Sequence, residues 1–157
     1  MLKIIFFFLI IIFLLIIFGL IGYSKPFTFP EETDFLLKAN ITDTTWRVGD
    51  ALYVEVIFQN LTDLEYTLDS DATFSQSGLI HINIFKINEL PMITVGTDRE
   101  VKLKGKQQVQ EIRKFYMNKE GTYKVIINSN FYIYNPKTLE RKTYKIKIDP
   151  IIIEAVK

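Results

Sequence analysis

The sequence predicts an all-β fold, a sandwich or barrel of seven or eight short antiparallel strands, behind one N-terminal transmembrane helix. Three observations predict it. An unbroken apolar run opens the chain, apolar residues beyond it recur at a spacing of two, and no later segment offers a capped amphipathic helix of ordinary length.

From Ile4 to Ile21 the chain reads IIFFFLIIIFLLIIFGLI, eighteen residues without a charge, a polar side chain or a proline. A helix rising about 1.5 Å per residue would span roughly 27 Å over that run, enough for a thin hydrocarbon core. Only Lys3 and the amino terminus supply charge before it, which places the amino terminus on the cytoplasmic side and the remainder outside. A cleaved secretory signal is the competing reading, because Gly22 and Ser24 stand three and one positions before a cut ahead of Lys25. Signals carry an apolar stretch of about 7 to 15 residues, so length favours an uncleaved anchor over 1–24. The domain is exported on both readings: single-pass in the cell membrane and extracytoplasmic, or secreted if cleavage follows Ser24. No cysteine follows the run, which excludes a lipid-anchored lipoprotein.

Lys25 to Thr33, KPFTFPEET, has two prolines and no periodicity and reads as a tether. Residues 34–157 are enough for one core and too few for two ordinary domains. An opening strand is expected near Phe35 to Ile41. Leu52, Val54, Val56 and Phe58 then alternate with Tyr53, Glu55, Ile57 and Gln59, the pattern of a strand with one buried face. Arg47-Val48-Gly49-Asp50 before it and Asn60-Leu61-Thr62-Asp63 after it are turn chemistry. The alternation recurs at Tyr66 and Leu68, at Ile80, Ile82 and Ile84, at Val101 and Leu103, around Val109 to Met117, at Tyr123, Val125 and Ile127, and at Tyr144, Ile146 and Ile148. The expected core contains Leu52, Val54, Val56, Phe58, Ile82, Ile84, Tyr123, Val125 and Ile127.

Glu120-Gly121-Thr122-Tyr123-Lys124-Val125 narrows the class. It has the spacing of a tyrosine corner, in which a Tyr early in the penultimate strand of an immunoglobulin-like sandwich bonds back across the preceding turn, and the residue two later points inward. A plain turn entering a strand is the simpler alternative. With this motif the chain resembles bacterial extracytoplasmic immunoglobulin-like domains and, more loosely, the BsuPI-type proteinase-inhibitor family. The resemblance runs from about Trp46 to Ile148 and rests on Arg47-Val48-Gly49-Asp50, on Val56-Ile57-Phe58-Gln59-Asn60 followed by Leu61-Thr62, on the turn Leu103-Lys104-Gly105-Lys106, and on Gly121-Thr122-Tyr123. It implies an immunoglobulin-like antiparallel β-sandwich. No inhibitory residue of the family maps onto this chain, so inhibitor activity does not follow from the resemblance and stands as an alternative function.

Composition excludes several classes. With no cysteine, an exported domain cannot rely on disulfides, which suits a bacterial envelope protein better than a eukaryotic cell-surface domain. Beyond Lys3 the charges balance at 18 basic and 18 acidic residues, which argues against nucleic acid as a partner. The halves differ: Lys25 to Asp98 has four basic and twelve acidic residues, Arg99 to Lys157 fourteen and six. Asn40-Ile41-Thr42 and Asn60-Leu61-Thr62 match glycosylation sequons, at about the frequency chance supplies.

No chemistry-bearing constellation stands out, so neither an enzyme nor a cofactor is expected. His81 is the one histidine, out of phase with Ile80, Ile82 and Ile84, and cannot alone build a zinc site or a Ser/His/Asp triad. Asp69-Ser70-Asp71-Ala72-Thr73 superficially matches the start of a calcium loop, but Phe74 stands where that loop needs glycine and Ile80 where it needs a bidentate glutamate. There is no phosphate-binding glycine loop and no Gly-x-Ser-x-Gly nucleophile motif.

The candidate binding surface is the last hairpin. Phe131-Tyr132-Ile133-Tyr134 leads into Asn135-Pro136-Lys137-Thr138, a type I turn by its proline, and Arg141-Lys142-Thr143-Tyr144-Lys145 returns. If Tyr144 faces the core, Lys145 and Lys147 face outward. Tyr132, Tyr134, Lys137, Arg141, Lys142, Lys145 and Lys147 together offer rings beside cations, a surface for a peptide, a sugar or an anionic polymer. The structural alternative is that the aromatics complete the core while the lysines guard a sheet edge. The expected function is a membrane-anchored, extracytoplasmic binding module whose partner is a protein or an envelope polymer.

Overall fold

The structure, a computed structural model, describes residues 12–13, 27–70, 77–89 and 99–157. A 3₁₀ turn (Glu32–Asp34) is followed by ten strands: β1 (Phe35–Asn40), β2 (Thr45–Arg47), β3 (Ala51–Asn60), β4 (Tyr66–Ser70), β5 (His81–Lys86), β6 (Arg99–Leu103), β7 (Gln108–Tyr116), β8 (Gly121–Tyr134), β9 (Arg141–Lys147) and β10 (Ile151–Val156). The small sheet has the order β1-β3-β7, antiparallel throughout. All the other strands belong to the large sheet.

β8 organises that large sheet. Over Tyr123 to Val125 it pairs with β10 on one side and β5 on the other; over Phe131 to Ile133 it pairs with β9 and β4. Since Asn128 has both His81 and Lys147 as partners, β4 and β5 lie end to end along one edge and β9 and β10 along the other. β6 adds outside β4, and β2 adds outside β10 in parallel. The ten strands therefore fill eight positions, in the arrangement of an immunoglobulin-like sandwich.

The step from β9 to β10 is a bulge. Lys147 faces Asn128 and Ile151 faces Val125, so three residues on one strand stand against two on the other. The extra residue reverses the parity. Tyr144 points inward from an even position, and Ile153 and Ala155 do so from odd ones. Pro150 falls in the break, where its missing N–H costs no ladder bond.

Side chains from both sheets fill the interior. Phe35 and Phe58 of the small sheet meet Tyr66, Phe131 and Tyr144 of the large one, with Phe35 5.1 Å from Phe131 and 5.6 Å from Tyr144 between ring centroids. Of the expected core, Leu52, Val54, Val56, Phe58, Ile82, Val125 and Ile127 are buried, while Ile84 and Tyr123 pack half-buried at its margin. Tyr123 makes the corner: its Oη donates to the Lys119 carbonyl at 2.9 Å, and Val125 two residues on is buried. Glu111 is buried too, accepting from Arg113 Nε at 2.7 Å and from Ser77 Oγ at 3.1 Å. It shares its face of β7 with Val109, Arg113 and Phe115.

Four segments meet at one end of the sandwich: the approach to β1, the β3–β4 loop, the β6–β7 turn and the β8–β9 turn. The register puts them there, since Asn60 pairs with Phe35, Tyr66 with Leu103 and Tyr134 with Arg141. Gly105 lies against Asp63 so closely that a Cβ would stand 2.3 Å from the Asp63 carbonyl oxygen. Residues 27–33, within the segment expected as a tether, lie against the domain: Pro30 is buried, and its carbonyl accepts from Tyr144 Oη at 2.7 Å. The turn after β8 differs from a type I turn. Leu139 N–H reaches the Asn135 carbonyl four residues back at 2.9 Å, and Leu139 takes a left-handed φ of 60° to close it. Asn60 is fully buried, which removes that sequon as an acceptor in the folded domain.

Ile12 and Phe13 are helical, and the rest of the expected membrane span over 4–21 lies outside the described residues. Among the described residues no helix is long and apolar enough to cross a membrane.

Candidate functional site

Alternation along β8 sorts the expected binding residues. Its odd positions from Val125 to Ile133 are buried, so Lys124, Ile126, Asn128, Asn130, Tyr132 and Tyr134 face outward. On β9 the parity is opposite, and Arg141, Thr143, Lys145 and Lys147 share that outer face. Cross-strand pairs set Lys147 beside Asn128, Lys145 beside Asn130, Thr143 beside Tyr132 and Arg141 beside Tyr134. The Arg141 guanidinium lies 5.0 Å from the Tyr132 ring centroid, a diagonal cation–π contact that holds the cation flat on the sheet.

Lys142 does not join them. It faces the inner side, where its Nζ donates to the Pro30 carbonyl at 3.0 Å, pairs with Glu31 at 3.4 Å and lies 5.3 Å from the Tyr144 ring centroid. Its neighbour Tyr144 is fully buried, and that burial, reinforced by the charge of Glu31, raises the phenol above its ordinary value of 10.0. Lys137 sits in the turn, its N–H bonded to Asn135 Oδ1 at 2.9 Å.

The β9–β10 bulge gives the outer face a concavity. A groove of about 250 Å³ is lined by Ile126, Asn128, Asn130, Lys145, Lys147 and the Ile148-Asp149-Pro150 break. Asn128 Oδ1 is itself buried, without a hydrogen-bond partner among the described residues. Two ammonium groups outnumber the single Asp149 carboxylate, and with two amides and an apolar floor they can hold an anionic, hydroxyl-bearing chain; they offer no nucleophile paired to a base. Sequence reasoning missed Asn128 and Asn130, although their even spacing from Tyr132 put all three on one face. β9 has no second strand neighbour among the described residues, so the lysines also fit the edge-guarding alternative.

The other motifs carry no site. His81 is half-buried opposite Asn128, and Ile82 beside it points inward. Asp69 and Ser70 end β4, with Ser70 Oγ donating to the Asn130 carbonyl at 3.0 Å, while residues 71–76 of the expected loop lie outside the described residues. Among the described residues no group of three His, Cys, Asp or Glu is placed to hold a metal.

No family model and no curated protein matches this chain. Several solved structures are similar to it. The sporulation control protein Spo0M of Bacillus subtilis has a TM-score of 0.47 and 8% identity over 79% of this chain and 50% of its own. A β-glucosidase from Listeria innocua in complex with glucose has a TM-score of 0.46 and 12% identity over 78% of this chain, which spans only 16% of that enzyme. A CARDB domain from Pyrococcus furiosus has a TM-score of 0.40 and 15% identity over 78% of this chain and 94% of its own. All three likenesses are loose. The immunoglobulin-like assignment rests on strand order and register, and the BsuPI resemblance on its sequence motifs alone.

Proposed function

We propose that this chain is a non-catalytic recognition module, held at the outer side of a membrane by residues 4–21, that binds an anionic envelope polymer on the outer face of β8 and β9. One observation carries the ligand class: Lys145 and Lys147 face Asn130 and Asn128 side by side along one groove on the outer face. A polyol phosphate supplies anionic oxygens for both lysines and hydroxyls for the amide side chains that line the groove. The test is binding of the full-length protein in detergent micelles to a poly(glycerol phosphate) chain, with and without Lys145→Glu and Lys147→Glu together. Affinity is expected to fall roughly tenfold or more, about 1.4 kcal/mol, and to weaken steeply with salt. Equal affinity in the two proteins, or binding indifferent to salt, would discard the reading.

A protein partner is the second reading, and a different face favours it. Tyr53, Ile112 and Tyr116 are each more than half exposed on the outside of the small sheet, with Lys114 Nζ 5.8 Å and 4.9 Å from the two tyrosine rings. Rings flanking a cation suit a protein contact. Crosslinking in the native membrane would recover a specific partner with the wild type and lose it with Tyr53→Ala and Tyr116→Ala; recovery unaffected by those changes would remove this face from the account.

A further inference from the structure

We infer that the sandwich stands end-on against the lipid surface, with Leu64 and Leu139 as apolar tips seated in the headgroup layer; this rests on the proposal that residues 4–21 span the bilayer. The chain enters the described domain at Phe27, beside the β3–β4 loop and the β8–β9 turn. Phe27, Glu65, Tyr66, Thr67, Tyr134 and Pro136 line a single groove of about 330 Å³ at that end. Only residues 22–26 separate Phe27 from the apolar run, and five residues reach at most about 18 Å. Because Pro30 is buried and bonded to Tyr144, the chain cannot pay out further length without undocking. Whatever projects from this end is therefore the part of the domain held nearest the membrane.

Two leucines project there among charged residues. Leu139 is 78% exposed in the β8–β9 turn and Leu64 is 58% exposed in the β3–β4 loop, with Tyr134 at 41%. Leu139 holds a left-handed φ of 60°, a conformation that suits glycine or asparagine and that a branched side chain adopts only at a cost. The turn thus holds a leucine in water at a position whose backbone suits glycine or asparagine, a poor arrangement unless the leucine leaves water. Charge at this end is mixed: Lys104, Lys106, Lys137 and Arg141 stand with Asp63, Glu65 and Glu140, and Lys106 is 3.5 Å from Asp63. Attachment is accordingly through the leucine tips and not through headgroup charge.

The absence of cysteine makes the test direct, since one introduced thiol labels one site. The full-length protein carrying Ile12→Cys, Leu64→Cys, Leu139→Cys or Lys119→Cys, each labelled with an environment-sensitive fluorophore, is reconstituted in phosphatidylcholine vesicles containing a spin-labelled lipid quencher, and again with phosphatidylglycerol added. Lys119 lies at the opposite end, before β8. Labels at 64 and 139 are expected to be quenched several-fold more than the label at 119, equally in both lipids, and the label at 12 most of all. Quenching at 12 with an aqueous signal at 64 and 139 overturns the end-on contact while leaving the anchor intact. An aqueous signal at 12 overturns the anchor and this inference together. Quenching that is equal at 119 and 139, or that needs the anionic lipid, replaces seated tips with general or charge-driven adsorption and overturns the inference.

Discussion

The amide of Asn60 makes four hydrogen bonds in a fully buried position: Nδ2 donates to the carbonyls of Leu64 at 2.7 Å and Lys104 at 3.0 Å, and Oδ1 accepts from the Thr62 N–H and hydroxyl. Replacing it with alanine removes all four bonds and takes the acceptor from the Thr62 N–H, leaving the Leu64 and Lys104 carbonyls only the Thr62 hydroxyl at 3.4 Å and the Gln107 N–H at 3.1 Å, so Asn60→Ala is expected to lower stability by about 2–3 kcal/mol, measured as a shift in the urea midpoint at constant slope. An unchanged midpoint would mean that water replaces the amide without loss. Tyr144 gives a second residue-scale outcome. Its phenol is neutral in the fold and its pKa is raised above 10.0 by burial. In the window above about pH 10 the unfolded chain ionises while the folded one keeps its proton, so stability falls as pH rises, by up to ~1.4 kcal/mol per unit. Tyr144→Phe is expected to lose about 1 kcal/mol at neutral pH, from the bond to Pro30, and to flatten that alkaline decline; an equally steep decline in the variant would assign it to another group. The role of Asn60 was hidden in the sequence, where the residue reads as a turn former, because its partners are carbonyls supplied by two separate loops.

At the scale of elements, legibility followed length and periodicity. β3 shows four apolar inward residues at strict spacing, with buried Asn60 continuing it, and is legible almost to its ends; β8 is legible over its first half only, its second half reading as part of a separate hairpin. β2 has three residues, too few for any period, and β10 opens on Ile151-Ile152-Ile153, which hides alternation. The aromatic and basic residues of the last hairpin were visible as a cluster, but not that Lys142 points inward and that Asn128 and Asn130 complete the outer face. The β9–β10 bulge makes a prediction of its own. Deleting Asp149 across a retained bulge shifts β10 by one residue and turns Glu154 inward in place of Ile153, and Val156 in place of Ala155. Exchanging a buried isoleucine for a carboxylate is expected to cost at least about 3 kcal/mol, with amide protection lost first along β10. A variant as stable as the parent would show that β10 keeps its register independently of the bulge.

Across the whole molecule, the acidic first half and basic second half do not form two faces, because the topology interleaves them. Glu31 pairs with Lys142 and Asp63 with Lys106, while Asp69 of β4 stands directly beside Tyr132 of β8. Sequence halves became spatial neighbours because β8, from the second half, runs between strands of both halves. The resulting ion pairs lie at the surface, with side chains from 37% to 89% exposed, where such contacts contribute from nothing to about 1 kcal/mol each. Stability should therefore be nearly indifferent to salt: raising it to about 1 M, where the screening length falls to about 3 Å, is expected to move the unfolding free energy by less than about 1 kcal/mol. Binding at Lys145 and Lys147 should respond in the opposite way, since these lysines face a partner's charge. Measured side by side on one protein, a flat salt profile for unfolding and a steep one for polymer binding would separate the fold's own electrostatics from those of the site. A steep profile for unfolding would instead show that the interleaved pairs hold the sheets together.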